Sequence, residues 1–263
     1  MTAQLLPSRP VARIWGRRDL PAAFGAPADE AIGEIWFEDP DPEAALLVKY
    51  LFTSERLSIQ VHPDDAAACA RGHKRGKDEA WYVLGAEPGA TIGLGLTRRV
   101  SPDELGAAAR DGSIEALLDW RPVAAGDVFY SPAGTIHAIG AGLSLIEIQQ
   151  NLDLTYRLYD YGRPRALHLD EALAVADPVP WVRPSAPREA GPGRTILAEG
   201  GAFVLERWRA EDGLEAAVPE GTMLVSLGDS AVWAAKGRVA LEGPVDLLAA
   251  YPGGDVRDLE LRA

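Results

Sequence analysis

Gln60 and His62 stand two residues apart in LSIQVHPDD, and a strand there would turn both side chains to one face. An amide oxygen and an imidazole could then converge on one ion. Glu79 opens the apolar run of GKDEAWYVL, and His137 closes GDVFYSPAGTIH. Together Gln60, His62, Glu79 and His137 offer two imidazoles, one carboxylate and one neutral oxygen. Such a donor set suits zinc, with iron and manganese as further candidates. Cys69 is the one cysteine, so a thiolate zinc site and an internal disulfide framework are both excluded, and a reducing compartment is expected. His73 lies in the charged loop RGHKRGK and His168 follows a basic loop; both read as ordinary hydrogen-bonded or surface groups.

Positioning these residues requires a framework of short strands. Leu46–Phe52, Leu57–Val61, Ala80–Leu84, Thr91–Leu96, Asp127–Ser131 and Leu143–Gln149 are each bounded by turn formers, which predicts a sandwich or small barrel. Two helical interruptions are expected. Pro63–Arg71 has an acidic first turn, and Ser101–Trp120 opens with SPDE, where Ser101 can cap, Pro102 takes the first helical position and Glu104 completes a capping box. A shorter helix is expected near Asp170–Val175. The proline-rich stretch Asp177–Gly193 reads as a linker or a long surface connection. Beyond it, Ala202–Trp208, Thr222–Leu227, Ala231–Ala234 and Val245–Ala249 predict a second, smaller β unit. All four histidines precede the connection, so the expected division is a metal-bearing domain over 1–176, a connection over 177–194 and a structural β domain over 195–263.

The formal charge of −13 over 263 residues argues against a nucleic-acid partner. An anionic small molecule would need a local group of cations to overcome that field. Arg157, Arg163 and the run His73–Lys77 are the candidates. No stretch approaches the ~18 apolar residues of a membrane span, and the N-terminal segment has no uninterrupted apolar region of a signal peptide. A cytoplasmic protein without membrane contact is the expectation.

The segment GDVFYSPAGTIH has the form of the second cupin motif, although the Asn that usually follows its His is absent from Ala138–Ala141. With LLVKYLFTSERLSIQVHPDD, GKDEAWYVL and the continuation to NLDLTYRLYDYGR, it resembles the type I, cupin-fold mannose-6-phosphate isomerases, most closely the short bacterial form. The resemblance spans most of residues 14–163. It implies a jelly-roll β-barrel, one Zn2+ per chain held by Gln60, His62, Glu79 and His137, and a sugar-phosphate substrate; a second, smaller cupin-like β domain, from its size and strand pattern, and a monomeric chain are the further expectations. Interconversion of mannose 6-phosphate and fructose 6-phosphate through a cis-enediol(ate) is the implied reaction. By the same resemblance Arg157, Lys77, Lys49 and Asp153 are active-site residues. Arg157, Lys77 and Arg163 are the cations expected near substrate. Arg157 suits enediolate stabilisation, whereas the base stays open among Lys49, Lys77 and Asp153. The alternatives are a cupin isomerase of another sugar, a non-catalytic sugar-binding cupin, and a metal-dependent dioxygenase, for which three histidines and a carboxylate would be the more natural set.

Overall fold

The runs LLVKYLF and IGEIWF lack the alternation of a strand with one wet face, which implies burial on both sides. A computed structural model describes residues 3–27, 29–259 and 261–262 and gives the reason. These runs lie in the middle of three packed antiparallel sheets.

In chain order β1 (Ala3–Leu5), β2 (Ser8–Arg17), β3 (Ile32–Phe37), β4 (Leu46–Phe52) and β5 (Ile59–Val61) are followed by α1 (Asp65–Cys69), β6 (Glu79–Ala86) and β7 (Thr91–Leu96). Then come α2 (Pro102–Asp111), α3 (Ile114–Leu117), β8 (Leu118–Pro122), β9 (Val128–Ser131), β10 (His137–Ile139), β11 (Leu143–Gln150), β12 (Tyr156–Tyr159) and α4 (Leu169–Val175). The last group is β13 (Arg188–Gly191), β14 (Arg194–Glu199), β15 (Phe203–Ala210), β16 (Leu214–Ser226), β17 (Val232–Leu241) and β18 (Val245–Pro252).

The middle sheet has the order β2-β3-β4-β11-β6-β9. From its front face Leu51, Trp81, Val83 and Leu145 pack against Ile92, Leu94 and Ile139 of the sheet β12-β5-β10-β7-β8. These two sheets form the jelly-roll barrel. From its back face Ile35, Tyr50, Ile146 and Ile148 pack against Phe203, Leu205, Met223 and Leu248 of the sheet β1-β17-β16-β18-β15-β14-β13. Each large apolar side chain buried in this way contributes about 1.5–3 kcal/mol. Helices α2 and α4 cover the outer side of the five-stranded sheet, with Leu105, Ala109 and Ala172 against Ile59, Val61 and Leu158. The seven-stranded sheet draws most of its strands from residues after 187, and the N-terminal β1 joins it through Leu5 opposite Trp233. Among the described residues no helix is long and apolar enough to cross a membrane.

Two expectations are sharpened. The helix expected over Ser101–Trp120 stops at Asp111, because Gly112 takes the left-handed conformation that ends it, and the chain then enters α3 and β8. Ser101 Oγ accepts the Glu104 N–H at 3.1 Å, but the Glu104 carboxylate turns to Arg98, so the capping box is half made. The proline-rich connection is docked rather than loose. The Asp177 N–H donates to the Gly134 carbonyl at 2.8 Å, and Trp181 Nε1 donates to the Tyr130 carbonyl at 3.0 Å. Gly95 makes room for it: φ is +71°, and a Cβ would lie 2.2 Å from the Trp181 nitrogen. Gly95→Ala is therefore expected to lower folding stability by about 2–4 kcal/mol through strain and overlap, read as a reduced midpoint in urea.

Candidate metal centre and active site

Antiparallel register places the site. Across the five-stranded sheet Gln60 lies opposite Arg157 on one side and His137 on the other, giving a row Arg157–Gln60–His137, with His62 two residues further on, just past the end of β5. The facing sheet carries the row Trp36–Lys49–Glu147–Trp81 across β3, β4, β11 and β6, with Glu79 two residues before Trp81. Side chains of these two rows meet inside the barrel.

His62, Glu79 and His137 are all buried, and their ligand atoms lie within 4.8 Å of one another. His62 Nε2 is 3.2 Å from Glu79 Oε1, and His137 Nε2 is 3.4 Å from Glu79 Oε2. The tautomers follow from the outer hydrogen bonds. His62 Nδ1 is 2.8 Å from the Leu154 carbonyl and His137 Nδ1 is 2.9 Å from the Thr135 carbonyl. A carbonyl only accepts, so both Nδ1 atoms donate and both Nε2 lone pairs face the common centre. Gln60 Nε2 is 3.5 and 3.3 Å from these two Nε2 atoms, and Gln60 Oε1 accepts from Ser58 Oγ at 3.0 Å. Turning the amide over would present its oxygen to an ion at the same place.

The electrostatics suit a cation. Burial, and next the charge of Lys77, push the His62 imidazole down to about 3; burial likewise lowers His137. Both rings are therefore neutral and ready to ligate at neutral pH. Burial opposes ionisation of Glu79, but the charge of Lys77 outweighs it and holds the carboxyl well below its usual range. Lys77 Nζ is 2.8 Å from Glu79 Oε1, yet neither Glu79 oxygen has a well-directed hydrogen bond. A buried carboxylate in that state, faced by two imidazole lone pairs, fits a divalent metal ion with nitrogen and oxygen ligands.

The centre opens into a cavity of about 530 Å3 lined by Lys49, Lys77, Glu147, Asp153 and Arg157 among others. Lys49 is buried 3.5 Å from Glu147 and stacks over the Trp36 ring at 4.3 Å. Lys77 is buried, while Asp153 is exposed at the rim. Arg157 has a buried Nε without a hydrogen-bond partner. Burial, then the neighbouring Arg165, lower its pKa from the ordinary arginine value.

Arg163 is placed elsewhere. Asp160–Arg163 form a tight turn, closed by the Arg163 N–H to the Asp160 carbonyl at 3.0 Å, with positive φ at Tyr161 and Gly162. This turn directs Arg163 over the Tyr161 ring and into a neighbouring pocket, and returns Arg165 to the cavity wall. Arg165 is held there by two 2.6 Å bonds to the buried Asp160. Arg163 therefore does not line this cavity, whose wall carries Arg165 instead. His168 also lines the cavity, where its Nδ1 accepts the Arg157 N–H at 3.2 Å.

Glu147 was not singled out by sequence, although a carboxylate inside the apolar run SLIEIQ is itself a signal of an inward charge. Its Oε1 accepts from Trp81 Nε1 at 3.1 Å. Burial, and then repulsion from Glu79, raise it to about 7 against the pull of Lys49 and Lys77. Arg13, which donates to Glu34 at 2.7 Å, completes the cationic side of the cavity.

A jelly-roll barrel with a buried His62, Glu79 and His137 group that could hold a metal ion defines a cupin. The comparisons with known proteins narrow the class. No family model matches the chain. Over 233 residues it is 35% identical to the mannose-6-phosphate isomerase of Streptococcus mutans, covering 82% of this chain and 70% of that protein. It is 40% identical over 139 residues to the mannose-6-phosphate isomerase ManA of Bacillus subtilis, covering 50% of this chain and 44% of that one. The crystal structure of a Bacillus subtilis mannose 6-phosphate isomerase superposes with a TM-score of 0.76 at 28% identity, over 95% of this chain and 100% of that chain. A phosphomannose isomerase variant from Salmonella typhimurium, at 13% identity and a TM-score of 0.69 over 96% of this chain and 100% of that one, shares the fold. The chain belongs to the type I, cupin-fold mannose-6-phosphate isomerase family.

Proposed function

We infer that the protein interconverts mannose 6-phosphate and fructose 6-phosphate, with one zinc ion per chain held by Gln60, His62, Glu79 and His137. The observation that carries this reading is the juxtaposition of that buried donor set with Lys49, Lys77, Glu147 and Arg157 around one cavity of about 530 Å3. Such a volume falls within the range of small-molecule sites.

Aldose–ketose isomerisation moves a proton between C2 and C1 while O1 and O2 exchange carbonyl and hydroxyl character through a cis-enediol(ate). When bound, zinc supplies positive charge that orders and polarises the substrate oxygens. Glu147, whose carboxyl titrates near 7 and is steadied by Lys49, is matched to taking and returning a proton at neutral pH. Lys77 supplies a fixed positive charge beside the reacting oxygens. Arg157 remains protonated and stabilises the anion that develops across O1, C1, C2 and O2. Arg165, Arg13 and His168 form the wall best suited to a phosphate, and this favours a phosphorylated sugar over a neutral one.

A coupled assay of mannose 6-phosphate conversion tests the reading on protein as purified, after chelation, and after zinc is restored. The expected result is turnover that chelation abolishes and about one equivalent of zinc per chain restores. Zinc-loaded protein that converts no mannose 6-phosphate would overturn it.

A further inference from the structure

The segment Gly76–Asp78 carries Lys77 and leads directly into Glu79, yet it lies outside any strand. Its backbone is nevertheless fixed at each residue. The Gly76 N–H donates to Asp65 Oδ1 at 2.7 Å, the Lys77 N–H to the Pro63 carbonyl at 3.0 Å, and the Asp78 N–H to Gln150 Oε1 at 2.9 Å. The Gln150 N–H returns a bond to the Asp78 carbonyl at 3.0 Å, and Gln150 Nε2 donates to Asp65 Oδ1 at 3.0 Å. Asp78 extends the chain of contacts: its carboxylate accepts from Tyr130 OH at 2.7 Å and from the Ala133 N–H at 2.8 Å.

These contacts join three stretches of sequence, each carrying a metal donor. Asp65 lies three residues after His62, Asp78 immediately precedes Glu79, and Ala133 opens the turn that delivers His137. Gln150 is buried at the centre, with both ends of its amide engaged. None of the contacts of Asp65, Asp78 or Gln150 named here is to a donor side chain.

We propose that Gln150, acting through Asp65 and Asp78, is a positioning residue that sets the geometry of Glu79 and Lys77 relative to His62 and His137. The proposal rests on the metal reading of this site. A ligand set functions only when its members are held to within a fraction of an ångström, and residues that orient ligands from outside contribute roughly 10- to 100-fold to metal affinity. Gln150→Leu removes both amide bonds at similar volume. Asp65→Ala cuts the same network at an exposed residue in the first turn of α1.

The test compares zinc dissociation constants, by competition with a chromophoric chelator, for the wild type and both variants. It adds kcat and KM at saturating zinc and the thermal midpoint of zinc-free protein. Both variants are expected to bind zinc roughly 10- to 100-fold more weakly. At saturating zinc, kcat falls more than KM changes, because Lys77 is displaced, and zinc-free Asp65→Ala still melts in one cooperative transition. Wild-type zinc affinity and kcat in either folded variant would overturn the proposal; if Gln150→Leu does not fold, Asp65→Ala decides. A wild type that binds no zinc overturns the metal reading, and this proposal with it, and is told apart from failure of the proposal alone by that first titration.

Discussion

His137→Ala is expected to lose bound metal and turnover together. His137 sits on β10, between β5 and β7, with a nearly fully buried side chain. Its ring is fixed from behind by the Thr135 carbonyl, and its Nε2 is within 3.5 Å of both Glu79 and Gln60. Alanine leaves three donors around a space where water can enter, and Glu79 then keeps Lys77 as its principal counter-charge. Metal content should fall from about one equivalent per chain to near zero, because a site short of one ligand also lacks the geometry that selects the ion. Turnover should fall on the order of a thousandfold or more. Metal analysis of the purified variant, together with the coupled assay, checks both. A full equivalent of metal in the variant would remove His137 from the ligand set.

Arg157→Ala is expected to separate metal binding from catalysis. Arg157 lies opposite Gln60 on the edge strand β12, so truncating it leaves the ladder and the donors in place. What disappears is a guanidinium with a buried, unpartnered Nε on the cavity wall. A cation aimed at charge that develops only in the transition state acts mainly on kcat. The variant should retain about one zinc per chain and lose about 100- to 1,000-fold in kcat. Arg163→Ala is the internal control: its side chain lies over Tyr161, away from the cavity, and its kcat should stay within about twofold of the wild type. Near-normal turnover in Arg157→Ala would strike it from the catalytic groups.

The convergence of Gln60, His62, Glu79 and His137 in one place was readable because its signals are local. Gln60 and His62 share a face by the two-residue period of a strand, and GDVFYSPAGTIH carries His137 within a recognisable motif. Strands Leu46–Phe52 and Thr91–Leu96 match expectation at both ends, since turn formers flank compact apolar runs. Information that depends on the path of the chain was not local. Arg163 and Arg165 differ by two residues, and only the turn at Tyr161–Gly162 decides which of them enters the cavity. Arg13 and His168 come from opposite ends of the barrel sequence and meet through pairing that no short window encodes. Strand β1 joining a sheet built mostly from residues more than 180 positions later is the extreme case.

The middle sheet serves two cores at once, and this divides its residues by parity. Along β4, Lys49 and Leu51 face the barrel while Val48, Tyr50 and Phe52 face the C-terminal sheet; along β11, Leu145 and Glu147 alternate with Ile146 and Ile148 in the same way. One strand thus carries two interleaved messages, one for chemistry and one for cohesion. Drift in the second can proceed without altering the first, so the site can persist while its backing is rewritten. The same interleaving makes the halves hard to part. A chain ending before β13 would turn Tyr50, Ile146 and Ile148 toward water, and the catalytic half would gain an adhesive apolar wall where it now has a partner.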